Sequence, residues 1–170
     1  MKFLISGPPA SGKSTLVLKL IEFLKNKGKK IGGIVSPEVR ERGIRVGFKI
    51  VDLLSLKEKV FASINYKTKY KVGKYFVNVE YFEEIAIPAL EMAEKECDVI
   101  VIDEIGKMEL FSEKFEKKIE CILKCDKIVV ATVHRNYIEK YKNYGKVFWL
   151  ERERWNEIYN LIASQIQQLI

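Results

Sequence analysis

The chain has 170 residues, 48% of them hydrophobic, with 30 lysines and arginines against 23 acids for a formal charge of +7. That length and apolar content support one sizeable core covering residues 1–170, and no apolar run reaches the roughly eighteen residues that a membrane span requires. The three cysteines form neither an even set nor a CxxC pair, and the opening MKFLISGPP turns to glycine and proline too early for a secretory leader, so the expectation is a cytoplasmic chain without disulfides or a membrane anchor.

In chain order, Lys2 to Ser6 is a short apolar strand that breaks into GPPASGKS, after which Thr15 to Lys27 is helix-forming and stops at Gly28. Ile31 to Val35 reads as a second strand. Val39 to Val51 alternates around Arg40, Glu41, Arg42 and Gly43, the pattern of a hairpin, so a β-ribbon follows the first helix. Lys59 to Ile64 and Val72 to Val77 are each read as one strand, separated by the lysine and tyrosine stretch Tyr66 to Lys71.

From Val79 to Glu96 the apolar positions Phe82, Ile85, Ala86, Ala89, Leu90 and Ala93 recur at helical spacing, with Pro88 as a kink point. Asp98 to Ile102 is the apolar run of a buried parallel strand, ending at Asp103 and Glu104. Ser112 opens a helix through Lys124, Ile128 to Thr132 and Val147 to Leu150 are strands, and Trp155 to Leu169 is the closing helix. This alternation predicts a three-layer α/β sandwich on a largely parallel central sheet, with ligand loops at the carboxyl ends of its strands.

Gly7, Gly12, Lys13 and Ser14 satisfy GxxxxGK[ST] between a strand and a helix, the context of a P-loop. Such a loop lets backbone N–H groups at a helix N-terminus converge on phosphate oxygens, which assigns Gly7, Pro8, Pro9, Ala10, Ser11, Gly12, Lys13 and Ser14 to a nucleotide. Lys13 would neutralise the β and γ phosphates, Ser14 would give its hydroxyl to magnesium, and Thr15 would reach the α phosphate.

Asp103, at the end of an apolar strand, fits a magnesium-holding Walker B aspartate, and Glu104 beside it fits a general base that polarises water. Gly106 makes DEIG a match to the DxxG of regulatory GTPases. The guanine-reading NKxD is missing, because Asn26 and Lys27 continue into Gly28 and Lys29.

The run VIVIDEIGKMELF, Val99 to Phe111, with PEVRERGIRVGFKIVDL, Pro37 to Leu53, resembles the thermophilic or cancer-related nucleoside-triphosphatase family. GPPASGKSTL, VGKYFVN, FEEIAIPAL and ATVH extend the resemblance over nearly the whole chain. It implies a small RecA-like P-loop enzyme that hydrolyses several nucleoside triphosphates to diphosphates with little base preference. It also places nucleotide contacts on Gly7 to Ser14 and on Ile100 to Lys107, of which Asp103, Glu104, Ile105, Gly106 and Lys107 are the site positions. Ile100, Val101 and Ile102 build the strand beneath.

Arg40, Arg42 and Arg45 on the ribbon are candidates for a cationic finger toward the transferring phosphoryl group, with Arg40 favoured, and Lys107, His134 and Arg135 have similar standing. Two further enzyme readings share the cradle: a nucleoside or nucleotide kinase, and a nucleic-acid-dependent motor subunit. The lysine and tyrosine interleaving of Tyr66 to Lys74 is the sequence support for nucleic acid, but lysine also protects edge strands, so a monomer acting on nucleoside triphosphates without nucleic acid is expected. A zinc site assembled from Cys97, Cys121, Cys125 and His134 is conceivable, against the commoner buried free cysteine.

Overall fold

A computed structural model describes residues Met1–Ile170. β1 (Lys2–Ser6) leads through the glycine-rich loop into α1 (Lys13–Asn26), which begins two residues before the expected Thr15, because the chain already turns helical once Gly12 has passed through a left-handed conformation. β2 (Ile31–Val35) follows, and then a run of short strands: β3 (Glu38–Glu41), β4 (Ile44–Asp52), β5 (Glu58–Ser63), β6 (Tyr70–Val72) and β7 (Tyr75–Val77). The last two correct the expected single strand from Val72 to Val77. Gly73, at φ 58°, turns the chain back on itself, so Tyr70 and Lys71 belong to a hairpin arm and not to a separating loop.

α2 (Val79–Glu96) starts where the Asn78 side chain accepts a hydrogen bond from the Tyr81 N–H at 3.0 Å. β8 (Val99–Ile105) then runs on through the acidic pair, and α3 (Glu113–Lys124) is capped by Ser112, whose Oγ accepts from the Phe115 N–H at 3.1 Å and donates to Glu83 at 2.6 Å. β9 (Ile128–Val133), a short α4 (Ile138–Tyr141) that the periodicity did not signal, β10 (Lys146–Trp149) and α5 (Trp155–Leu169) complete the chain. No helix is long and apolar enough to cross a membrane.

The strands form one ten-stranded sheet in the order β10-β1-β9-β8-β2-β4-β5-β7-β6, with β3 paired to β4. From β10 to β2 all neighbours are parallel, and beyond β2 all are antiparallel. The ribbon foreseen after the first helix is therefore the antiparallel half of a continuous sheet. Side chains alternate across its pleat: Phe3 and Ile5 pack with α1 and α5, whereas Leu4 between them packs with α2 and α3. Val99 and Val101 against Ile100 and Ile102 divide in the same way, which gives the three layers.

The two tyrosines of Tyr66 to Lys74 are half-buried and engaged within the protein. The Tyr66 hydroxyl donates to the Val60 carbonyl, Tyr70 packs on Phe111 with ring centroids 4.8 Å apart, and Tyr75 is buried. Lys69, Lys71 and Lys74 lie over neighbouring aromatic rings.

Candidate nucleotide and hydrolysis site

The loops at the carboxyl ends of β1, β8, β9 and β10 open onto a cleft of about 860 Å³, and the antiparallel half of the sheet supplies its far wall. Of the residues expected to bind nucleotide, Ala10, Ser11, Gly12, Lys13, Ser14, Thr15, Asp103, Glu104 and Lys107 line it. Gly7, Pro8, Pro9 and Gly106 shape the loops behind this lining, and the Ile105 side chain is fully buried in the core.

The cradle is held from outside as well as by its own turns. A Cβ at Gly12, whose φ is 91°, would stand 2.9 Å from the Trp155 indole, and that indole donates its N–H to the Gly12 carbonyl at 3.0 Å. The Lys13 ammonium folds over the loop onto the Gly7 and Pro8 carbonyls at 3.1 and 3.3 Å, spanning the space where phosphate oxygens would lie. Burial lowers its pKa, and the carboxylates of Glu104 and Asp103 act in the opposite direction.

Asp103 is 7% exposed, and one of its oxygens accepts from the Thr132 hydroxyl of β9 at 2.7 Å. Burial raises its pKa, against the opposing influence of Thr132, Ser14 and Lys13. Glu104 is raised by burial and then by Asp103, with Lys13 opposing. The β8–β9 register shifts between Ile102 and Ile105, so the acidic pair sits at an irregularity on its β9 side, while Asp103 stays in register with Val35 of β2.

A third carboxyl, which the sequence did not single out, completes this cluster. Glu109 is 5% exposed at the start of a 3-10 turn, and its pKa is pushed well above the ordinary range, first by burial and then by Glu104. A Cβ on Gly106 would meet Glu109 Oε1 at 2.9 Å and Glu104 Oε1 at 3.0 Å, so the two carboxyls close around this glycine and a side chain there would push them aside. An acid in a short turn reads as solvated, and nothing in the spacing signals its burial.

His134 and Lys107 reach the cleft as expected, together with Asn136 and Tyr137. Burial, then Lys13 and Arg135, lowers the His134 pKa, which favours the neutral imidazole, and its Nδ1 accepts from the Asn136 N–H at 3.1 Å. Arg135 is not part of the lining. The ribbon arginines are placed differently from expectation. Arg40 is bound to Glu38 at 2.8 Å and to the Gly43 carbonyl at 2.9 Å, and Arg45 to Glu38 and the Tyr75 hydroxyl. Neither lines the cleft, and nor does Arg42 in the exposed turn. The arginine that does is Arg152, which follows β10. The cysteines and His134 do not converge: no group of three or more His, Cys, Asp or Glu side chains is arranged to hold a metal, and burial raises the Cys97 thiol.

A protein-family model described as NTPase matches residues 2–163. The chain belongs to this family. It is 46% identical to the nucleoside-triphosphatase THEP1 of Korarchaeum cryptofilum over 99% of this chain and 88% of the relative. It is 40% identical to the THEP1 of Methanocaldococcus jannaschii over 98% and 97%. Among solved structures, the crystal structure of THEP1 from the hyperthermophile Aquifex aeolicus superposes with a TM-score of 0.83 at 38% identity, covering 97% of this chain and 98% of that one. The solution structure of a human cancer-related nucleoside triphosphatase gives 0.82 at 31% identity, with 98% and 97% covered.

For a member of the NTPase family, the donors at the base of the cleft bear on a divalent cation. The Asp103 carboxylate and Ser14 line the same cleft, and Ser14 acts to lower the Asp103 pKa. Both are hard oxygen donors, which fits magnesium, a cation that takes one or two protein oxygens and leaves its other positions to water and phosphate.

Proposed function

We propose that this chain hydrolyses nucleoside triphosphates to diphosphate and phosphate in a magnesium-dependent reaction that tolerates different bases. The observation that carries the reading is the convergence of Lys13, Asp103 and Glu104, from two strand ends, on one cleft. In this reading the Lys13 ammonium exchanges the Gly7 and Pro8 carbonyls for β and γ phosphate oxygens, and the loop N–H groups hold the remaining phosphate oxygens. Ser14 and Asp103 would hold a magnesium ion, which would supply charge neutralisation on the same phosphates. Glu104 accepts the proton of a water whose oxygen attacks the γ phosphorus, and the β–γ bridging oxygen leaves with its electron pair on the diphosphate. Its raised pKa supports this role, since a stronger base takes the proton more readily.

Release of phosphate with magnesium and each of ATP, GTP, CTP and UTP, without acceptor or nucleic acid, tests the proposal. Comparable turnover of all four is the expected result. The far wall of the cleft, with Ser36, Glu38, Phe48 and Val72, leaves room beyond the phosphates and favours a kinase as the second reading. Silence until a nucleoside or nucleotide acceptor is added would establish it.

A further inference from the structure

We infer that Arg152 is the platform on which the nucleotide base stacks, and the residue that makes the site tolerant of different bases. The inference rests on the reading above for the direction in which the nucleotide lies and for the tolerance of different bases.

The sheet order fixes that direction. β8, with Asp103 and Glu104, lies beyond β9 on one side of β1, and β10 lies on the other side. A triphosphate whose γ end faces Glu104 must therefore carry its ribose and base across the Gly7 to Ser14 loop toward the segment after β10.

That segment is latched to the loop at two points. Arg152 Nε donates to the Ala10 carbonyl at 2.6 Å, and Trp155 Nε1 donates to the Gly12 carbonyl at 3.0 Å. The first bond fixes the guanidinium in place at the rim of the cleft, while the side chain stays exposed and its terminal nitrogens have no partner within the protein. A flat cation held in this way offers its face to any aromatic ring, and every base has such a face. Reading a base edge would instead need a donor and acceptor pair on this flank. The amide side chain in the lining, Asn136, follows β9 on the phosphate side.

Isothermal titration separates stacking from the alternatives and does not depend on hydrolysis. The probes are the imido analogues of ATP and GTP, and tripolyphosphate as a ligand without a base. In Arg152→Ala both analogues are expected to bind roughly tenfold more weakly, the loss of one stacked base, with tripolyphosphate unchanged. Arg152→Lys keeps the charge and a donor but not the plane, and is expected to fail in the same way. Equal loss of tripolyphosphate, or full recovery with lysine, would overturn the inference in favour of phosphate binding or of bracing the loop. A loss confined to one base would mean that an edge is read, and unchanged binding of both analogues would remove Arg152 from the site.

Discussion

At the scale of single residues the site is a contest between burial and charge. Asp103, Glu104 and Glu109 are three carboxyls withdrawn from water, with Lys13 as the facing cation, and each has its pKa raised. Replacing Glu104 by glutamine keeps size and polarity but removes the proton acceptor. Steady-state phosphate release is therefore expected to fall at least about a hundredfold, while titration with an imido analogue shows binding within a few-fold of the parent. Wild-type turnover of that variant would exclude Glu104 as the base. Glu109 supports a prediction about stability. Its folded carboxyl holds a proton more tightly than the unfolded one, so between the two pKa values the native state binds more protons. Its contribution therefore becomes more favourable as pH falls through the folded pKa and less favourable as pH rises. Glu109→Gln should raise the melting temperature of the nucleotide-free protein at alkaline pH, and the gain should shrink on acidification. A gain independent of pH would mean that the ionisation of Glu109 contributes nothing.

At the scale of elements, the parallel strands position the chemistry because they pack closely. Gly33 in β2 has φ 118°, and a Cβ there would come within 1.9 Å of the Val101 carbonyl of β8, two residues before Asp103. Gly33→Ala is expected to lose more than about 2 kcal/mol in urea unfolding, since it adds a backbone clash to a conformation that L-residues avoid. A loss below about 0.5 kcal/mol would show that β2 and β8 can separate freely. Much of this level is legible in the sequence. The GxxxxGKS loop, the apolar run before Asp103 and the helical spacing of α2 each follow from local pattern. The split of Val72 to Val77 into two arms does not, because the alternation continues through Gly73 and only its left-handed turn reverses the chain. Arg152 is hidden for a related reason: Glu151 to Arg154 reads as a solvated charge run, and its one bond to Ala10 spans most of the chain.

For the whole molecule, two hydrophobic clusters lie on opposite faces of one sheet and share its strands. Phe3 and Ile5 belong to one cluster and Leu4 to the other, so neither can come apart alone. We therefore expect a single domain with one cooperative thermal transition. The two tryptophans, Trp149 and Trp155, report the β10–α5 end, whereas far-ultraviolet circular dichroism reports the whole sheet. Coincident curves are the expected outcome. A separate second transition would make the antiparallel half an independent unit.

The sequence by itself determined the main strands and helices in their order, apart from α4 and the β6–β7 hairpin, together with the phosphate cradle and the acidic pair at the end of a buried strand. These depend on contacts within a few residues and on side-chain period, which the chain carries locally. Only the tertiary structure decided that half of the sheet is antiparallel and that Arg40 and Arg45 are tied to Glu38 of the far wall without lining the cleft themselves. It alone brought Glu109 against Glu104 and Arg152 onto Ala10. Charged side chains read alike in sequence whether they face water or one another, and which they face is fixed by partners far along the chain.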